Sequence, residues 1–329
     1  PLSNLVFPDF RSECPGRQMR PCAIRPAKPP ACFNNKSPRP PAVTDNPRTL
    51  EIAVSAIPNK TLVMGVMNIT PDSFYDGGRL ACPEAARLRA EALVQEGGDW
   101  LDLGAESSRP GAEPIGLEEE LRRLMPALEV ALGAGAPISV DTYRAETARR
   151  ALAAGATMIN DITALRGDDA MAEVIAEAGC TCVLMHMQGT PETMQKAPRY
   201  ADVVDEVCAF FEARIAHAVA AGIREDQIWL DPGFGFGKTP AHNLLLLRRL
   251  REFTRFGRPI LIGTSNKSTI GTVLDLPVGE RAEGTAATVA IGIANGANAV
   301  RVHDVKAMAR VARMSDAIVH GWTAPGTTG

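Results

Sequence analysis

From residue 62 onward, short apolar runs alternate with longer stretches in which apolar residues recur at every third or fourth position. The runs are LVMGVMN (62–68), WLDLGAE (100–106), PISVDT (137–142), TMINDI (157–162), CVLMHM (182–187), IWLDPG (228–233), PILIGTS (259–265) and AVRVHD (299–304). Nearly continuous apolarity over so few residues fits strands covered on both faces, as in a parallel sheet. The stretches between them, 83–97, 117–132, 144–155, 168–179, 201–222, 242–253, 283–296 and 305–319, carry a helical period. Several close on a glycine just ahead of the next run, where a left-handed residue ends a helix. Eight strands each followed by a helix, over roughly 260 residues, predict an α/β fold of the (β/α)8 TIM barrel type rather than an open doubly wound sheet.

Strands buried on both faces have little use for polar residues, yet these runs carry them at their C-terminal ends: Asn68, Asp102, Glu106, Asp141, Asn160, Asp161, His186, Asp231, Ser265, Arg301, His303 and Asp304. Any one of them reads as a cap or a satisfied strand end. All eight strands together read as a site, because the C-terminal rim of such a barrel is where its chemistry sits. Asp141, Asn160 and Asp231 place two carboxylates and an amide on strands three, four and six, a set that suits a flat heterocycle rich in N–H donors. Lys267, Arg301 and His303 place cations and donors on strands seven and eight, a set that suits phosphate. Asn68, ahead of ITPDSF, offers an oxygen to a hard cation in contact with a diphosphate; alone it is a weak ligand, so the cation would arrive with the substrate.

Two loops invite a different reading. GTSNKSTIG (263–271) and DPGFGFGKT (231–239) each bring a lysine beside glycines after an apolar run, as a phosphate-cradling loop does. Neither has the required spacing. Asn266 stands where the second glycine belongs, and only three residues separate Gly233 from Gly237, with Pro232, which has no N–H, at the position that would restore the count. A nucleoside-triphosphatase is therefore not expected.

Composition narrows the partners. The 329 residues are 45% hydrophobic and 22% charged with a formal net charge of −3, and no basic block is interleaved with aromatics, so nucleic acid is not expected. No apolar run reaches the ~20 residues of a membrane helix. The seven cysteines form no CxxC pair and favour buried thiols in a reducing, cytoplasmic setting over a disulfide framework. Residues 1–50 are read as a disordered, proline-rich extension: 11 of the 25 prolines fall within the first 47 residues, without strand or helix periodicity. A solvated tail is expected there over an organelle presequence. Residues 51–322 are assigned to the barrel and 323–329 to a flexible tail.

The stretches MGVMNITPDSFYDGG, ESSRPGA, SVDTY, INDI, MHMQG, DPGFGFGK, SNKSTIG and RVHDV, in this order and on these strands, closely resemble the dihydropteroate synthase family. The resemblance covers about residues 60–320. It implies condensation of 6-hydroxymethyl-7,8-dihydropterin diphosphate with 4-aminobenzoate to give dihydropteroate and pyrophosphate, with Mg2+, in a cytoplasmic homodimer that is a sulfonamide target. It further implies a pterin site of Asp141, Asn160, Asp231 and Lys267, with Asp141, Asp231 and Lys267 as the catalytic set. The diphosphate site would be Asn68, Arg301 and His303, with Asn68 also holding the metal. The 4-aminobenzoate site would be Ser108, Arg109, Pro110, Phe236 and Ser265. Loops 72–78 and 107–113 would be the mobile pair that closes over the substrates. Two departures stand out: Asn266 where the family usually has Arg, and Ser108 where Thr is common. Two alternatives remain at this point, a non-catalytic pterin-binding paralogue and a methyltetrahydrofolate:corrinoid methyltransferase.

Overall fold

The computed structural model describes residues 60–69, 83–107 and 111–322. All eight expected strands form: β1 (Leu62–Asn68), β2 (Trp100–Gly104), β3 (Ile138–Asp141), β4 (Met158–Asp161), β5 (Thr181–Met185), β6 (Ile228–Asp231), β7 (Leu261–Ile262) and β8 (Ala299–Val302). Every pairing is parallel, in the order β6-β5-β4-β3-β2-β1-β8-β7. The two ends of that order meet through a bridge between Leu230 and Ile260, with Leu230 N donating to Pro259 O at 2.9 Å. The sheet thus closes into a barrel.

The helices follow as expected: α1 (Pro83–Gln95), α2 (Leu117–Ala131), α3 (Ala145–Ala154), α4 (Met171–Ala178), α5 (Val203–Ala220), α6 (Pro240–Arg248), α7 (Ser268–Leu274), α8 (Ala282–Ala294) and α9 (Val305–His320). Helix α7 is a departure, since its first turn falls within GTSNKSTIG (263–271), which the sequence places in a loop. It is a seven-residue helix whose first turn is polar, too short to show a helical period. Helix α6 starts at Pro240 behind a Thr239 cap, whose hydroxyl accepts from His242 N while the His242 ring accepts from Thr239 N. That gives His242 a structural role outside the strand-end rim. At the other end of the barrel, Asp316 of α9 accepts from Thr61 N at 2.8 Å and from the Thr61 hydroxyl at 2.6 Å, fastening the last helix to the chain just before β1.

The core lies mainly between the outer faces of the strands and the helices. Phe211 of α5 is fully buried, edge-on to Phe253 at 5.7 Å and to Phe256 at 6.0 Å. Burying such a ring is worth about 1.5–3 kcal/mol, and truncating it to alanine costs about 3–5 kcal/mol once the cavity is counted. Cys180, Cys182 and Cys208 are buried free thiols, and among the described residues no helix is long and apolar enough to cross a membrane.

Candidate active site

Side chains alternate across a strand, so each barrel strand sends every second residue inward. The lowest inward layer is an apolar plug of Met64, Trp100, Met158, Val183, Trp229, Leu261 and Ala299, with the two tryptophan rings 6.5 Å apart. Two residues further along the same parity stand Val66, Asp102, Asn160, Met185, Asp231 and Arg301, followed by Asn68 and Gly104. Asp141 has the parity of Ser139 and lies in register with Asn160. The polar residues of the strand ends therefore converge above a sealed floor.

Their electrostatics follow from burial. Arg301 donates through Nε to Asp102 Oδ2 at 2.6 Å and through Nη2 to Asp141 Oδ2 at 2.9 Å. Asn160 Nδ2 donates to the same Asp102 oxygen at 3.4 Å. Asp102 Oδ1 and Asn160 Oδ1 are buried acceptors without a hydrogen bond in the protein. Burial pushes the Asp141 carboxyl up to about 7, against the pull of the Arg301 guanidinium. Burial likewise pushes Asp231 up to about 6, although Gly233 N donates to its Oδ1 at 2.7 Å. Lys267 is pushed down to about 8, first by burial and then by the charge of Arg301.

An apolar wall borders this centre. Ile162, Met185, Met187, Met194 and Phe236 form one buried cluster, with Tyr143 packed against it. The Lys267 ammonium stands over the Phe236 ring, 4.2 Å from its centroid, a cation–π contact. Ser265 and His303 meet on the next strands, Ser265 Oγ lying 3.0 Å from His303 Nδ1 and accepting from His303 N at 3.3 Å.

Below the rim, Arg144 joins Glu106 at 2.7 Å to the buried Glu120 at 2.9 Å, and the Tyr143 hydroxyl donates to Glu106 at 2.7 Å. This network holds the base of the strand-two loop, since Ile115 N also donates to Glu106. Ser108, Arg109, Pro110 and loop 72–78 lie outside the described residues, as does the extension over residues 1–50.

Three polar strand-end residues do other work. Asp161 has the opposite parity and accepts from Thr163 N and Leu165 N, holding a turn in which Ala164 and Leu165 have positive φ. Asp304 caps α9 by accepting from Ala307 N at 3.0 Å. His186 also faces away from the barrel axis by parity and meets Lys238, Nζ to Nδ1 at 2.8 Å. Among the described residues there is no cluster of three or more acidic, histidine or cysteine side chains able to hold a metal. Asp102 and Lys238 were not assigned roles from sequence. The inward parity of Asp102 is written in WLDLG, whereas the side-chain partner of Lys238, His186, lies 52 residues away in sequence.

The profile of the pterin binding enzyme family matches residues 64–303. Dihydropteroate synthase of Synechocystis sp. is 46% identical over 261 residues, covering 79% of this chain and 90% of that protein. The Bacillus subtilis dihydropteroate synthase is likewise 46% identical, over 262 residues, with the same coverage. The chain belongs to the dihydropteroate synthase family. Solved structures agree: the Yersinia pestis dihydropteroate synthase with a sulfonamide drug complex superposes with a TM-score of 0.76 at 40% identity, covering 82% of this chain and 97% of that one. The Xanthomonas albilineans dihydropteroate synthase with 4-aminobenzoic acid gives 0.74 at 42% identity, covering 79% and 93%. Within the family, DPGFGFGK and GTSNKSTIG are the loops after β6 and β7, and the phosphate-cradle resemblance of both is superficial.

Proposed function

We propose that this site condenses 6-hydroxymethyl-7,8-dihydropterin diphosphate with 4-aminobenzoate, giving 7,8-dihydropteroate and pyrophosphate. The observation that carries the reading is the convergence of Asp141, Asn160, Asp231 and Arg301 at inward positions of one rim, with the charge of Lys267, at the start of α7, acting on Arg301, Asp231 and Asp141. A dihydropterin edge is rich in N–H donors, and the carboxylates of Asp141 and Asp231 with the amide of Asn160 supply acceptors for such an edge. The ring nitrogens donate electrons toward the exocyclic carbon, whose bond to oxygen breaks as diphosphate departs with the electron pair. Fixed carboxylates stabilise the cation that remains. The neutral aniline nitrogen then forms the new C–N bond and loses a proton, so no strong base is demanded.

In this reading Asp141, Asn160, Asp231 and Lys267 hold the pterin, while Arg301, His303 and Asn68 hold the diphosphate. Phe236 and Ser265, with Ser108, Arg109 and Pro110, border the aminobenzoate. Mg2+ bound with the diphosphate would neutralise the leaving group, and Asn68 would hold it; a single amide oxygen fits a metal that brings most of its own ligands. The cations Lys267 and Arg301 favour this reaction over methyl transfer to a corrinoid, which has no diphosphate to bind. Exposed apolar residues on the outer helices, Val273 and Leu274 of α7, Ile291 of α8, Met314 and Ile318 of α9, support a homodimer. The buried free thiols support a cytoplasmic location.

Calorimetric titration with the pterin diphosphate tests the binding half of the proposal. Asp231→Asn is expected to weaken binding by about 1–3 kcal/mol, because it replaces a carboxylate acceptor facing ring N–H groups. Unchanged affinity would remove Asp231 from the site.

A further inference from the structure

Lys238, the lysine of the second glycine-rich loop, has no place in the reaction described above, yet it is only 2% exposed. Its ammonium lies 2.8 Å from His186 Nδ1, 2.9 Å from Phe236 O, 3.0 Å from Gly233 O and 3.3 Å from His186 O. Burial pulls Lys238 down to about 7, and in its protonated form the three N–H protons are fully used by these four acceptors, which leaves none for a phosphate. The imidazole is an acceptor here: burial, then the charge of Lys238, pushes His186 down to about 2, so it stays neutral. Its ring packs edge-on against Phe210 at 4.8 Å, which fixes its orientation.

The loop that this ammonium gathers is held, among the described residues, by only one backbone bond of its own, Phe236 N to Gly233 O at 3.1 Å. Gly233, Gly235 and Gly237 all have positive φ, so every second residue is left-handed and regular pairing is impossible. A few further bonds fix it from outside, Gly235 N to Asn243 Oδ1 at 2.8 Å and the Tyr200 hydroxyl to Gly237 O at 2.8 Å. Phe236 sits at the centre of this arrangement. Its carbonyl is held by Lys238 on one side and its ring faces Lys267 on the other.

We infer that Lys238, seated on His186 and the loop carbonyls, is a positioning residue that fixes the strand-six loop so that the Phe236 ring stays against Lys267 as a wall for the aminobenzoate. The assignment rests on the proposed function only for the identity of the ligand at that wall; the geometry of the loop stands apart from it. Lys238→Met keeps the length of the side chain and removes the charge and all three donors. Its first consequence is structural: hydrogen exchange at the amides of Gly235 and Phe236 accelerates at least about tenfold, while the strand amides of the barrel keep their protection.

Its second consequence is kinetic: the KM for 4-aminobenzoate rises roughly 10–100-fold, as expected when a contact is displaced by about an ångström, while the KM for the pterin diphosphate rises by a clearly smaller factor, through the bond of Gly233 N to Asp231. In a Phe236→Ala background, adding Lys238→Met leaves the aminobenzoate KM unchanged, because the ring it positions is gone. If Lys238→Met does not fold, His186→Phe carries the same test, keeping the aromatic packing and removing the imidazole acceptor, with a smaller rise that again falls mainly on aminobenzoate. Unchanged exchange at Gly235 and Phe236, equal changes in both KM values, or additive effects with Phe236→Ala would overturn the inference. A loosened loop in a protein whose wild type releases no pyrophosphate would instead support the positioning role and sink the functional reading alone.

Discussion

Arg301 and Asp141 form an ion pair, Nη2 to Oδ2 at 2.9 Å, that joins the residue proposed for the diphosphate to a residue proposed for the pterin ring. The two halves of the site are therefore electrostatically coupled, and Arg301 also neutralises the fully buried Asp102. Arg301→Ala is expected to abolish most of the affinity for pyrophosphate and to weaken the pterin alcohol as well, by a smaller factor. It should also lower folding stability by about 3–5 kcal/mol, since two buried carboxylates lose their partner. Calorimetry with pyrophosphate, pterin alcohol and pterin diphosphate separates the effects. A loss for the diphosphate with no change at all for the alcohol would show that the ion pair is irrelevant to the ring site.

The raised Asp231 carboxyl gives stability and binding opposite pH dependences. Unfolded, the group titrates near 3.8; folded, at about 6. The folded chain thus binds a proton more readily between these values, and the cost of burying the charge, present above pH 6, is relieved as pH falls toward 3.8. Pterin binding needs the charged acceptor and should weaken over the same interval. Denaturation at pH 7 and pH 5 is expected to move the stability difference between wild type and Asp231→Asn in favour of wild type at the lower pH. A difference independent of pH would mean that Asp231 titrates as an ordinary carboxylate.

The eight strands were legible because a parallel barrel covers both faces of each strand, which leaves apolar runs that begin and end close to the observed elements. Strand-end chemistry was legible for the same reason: Asp141, Asn160 and Asp231 are costly where they stand, so their presence demands a use. Asp161 and His186 carry the same signal and are satisfied by turns and loops instead, which position along a run alone does not reveal. Inward parity, counted from Trp100, would have separated Asp102 from them. Helix α7 was hidden by its polar first turn, and the Lys238 cage by the distance in sequence between the two loops it joins.

The strand-six loop also tolerates its glycines unequally. A Cβ at Gly233 would lie 1.9 Å from His186 O, at a φ of +68°, whereas the nearest atom to a Cβ at Gly235 is the flexible Lys267 Cδ at 3.2 Å. Both substitutions to alanine carry left-handed strain of about 1–2 kcal/mol, and only Gly233→Ala adds a clash with backbone. Thermal denaturation should show Gly233→Ala as clearly the less stable variant. Equal losses would mean that the β5 end yields to the side chain.

Asn266, where the family resemblance implies an arginine, has φ of +58°, a conformation that asparagine accepts better than most residues. Its carbonyl accepts from Arg281 Nη1 at 3.0 Å and its amide donates to the Thr285 hydroxyl at 3.2 Å, so the backbone there is held whichever side chain it bears. Asn266→Arg should lower the KM for 4-aminobenzoate by a factor worth about 0.2–1 kcal/mol, leaving kcat nearly unchanged. Steady-state kinetics at two ionic strengths checks this, because the gain should shrink in high salt. A gain independent of salt would point to packing rather than charge.

Release of pyrophosphate by the unmodified chain tests the central claim most directly. With pterin diphosphate and 4-aminobenzoate both present, pyrophosphate and dihydropteroate should appear in equal amounts, and Asp231→Asn and Lys267→Met should each suppress both products. A chain that binds the pterin yet forms neither product, or that gains turnover only once Asn266 is changed to Arg, would contradict the account and mark a pterin-binding paralogue without synthase activity.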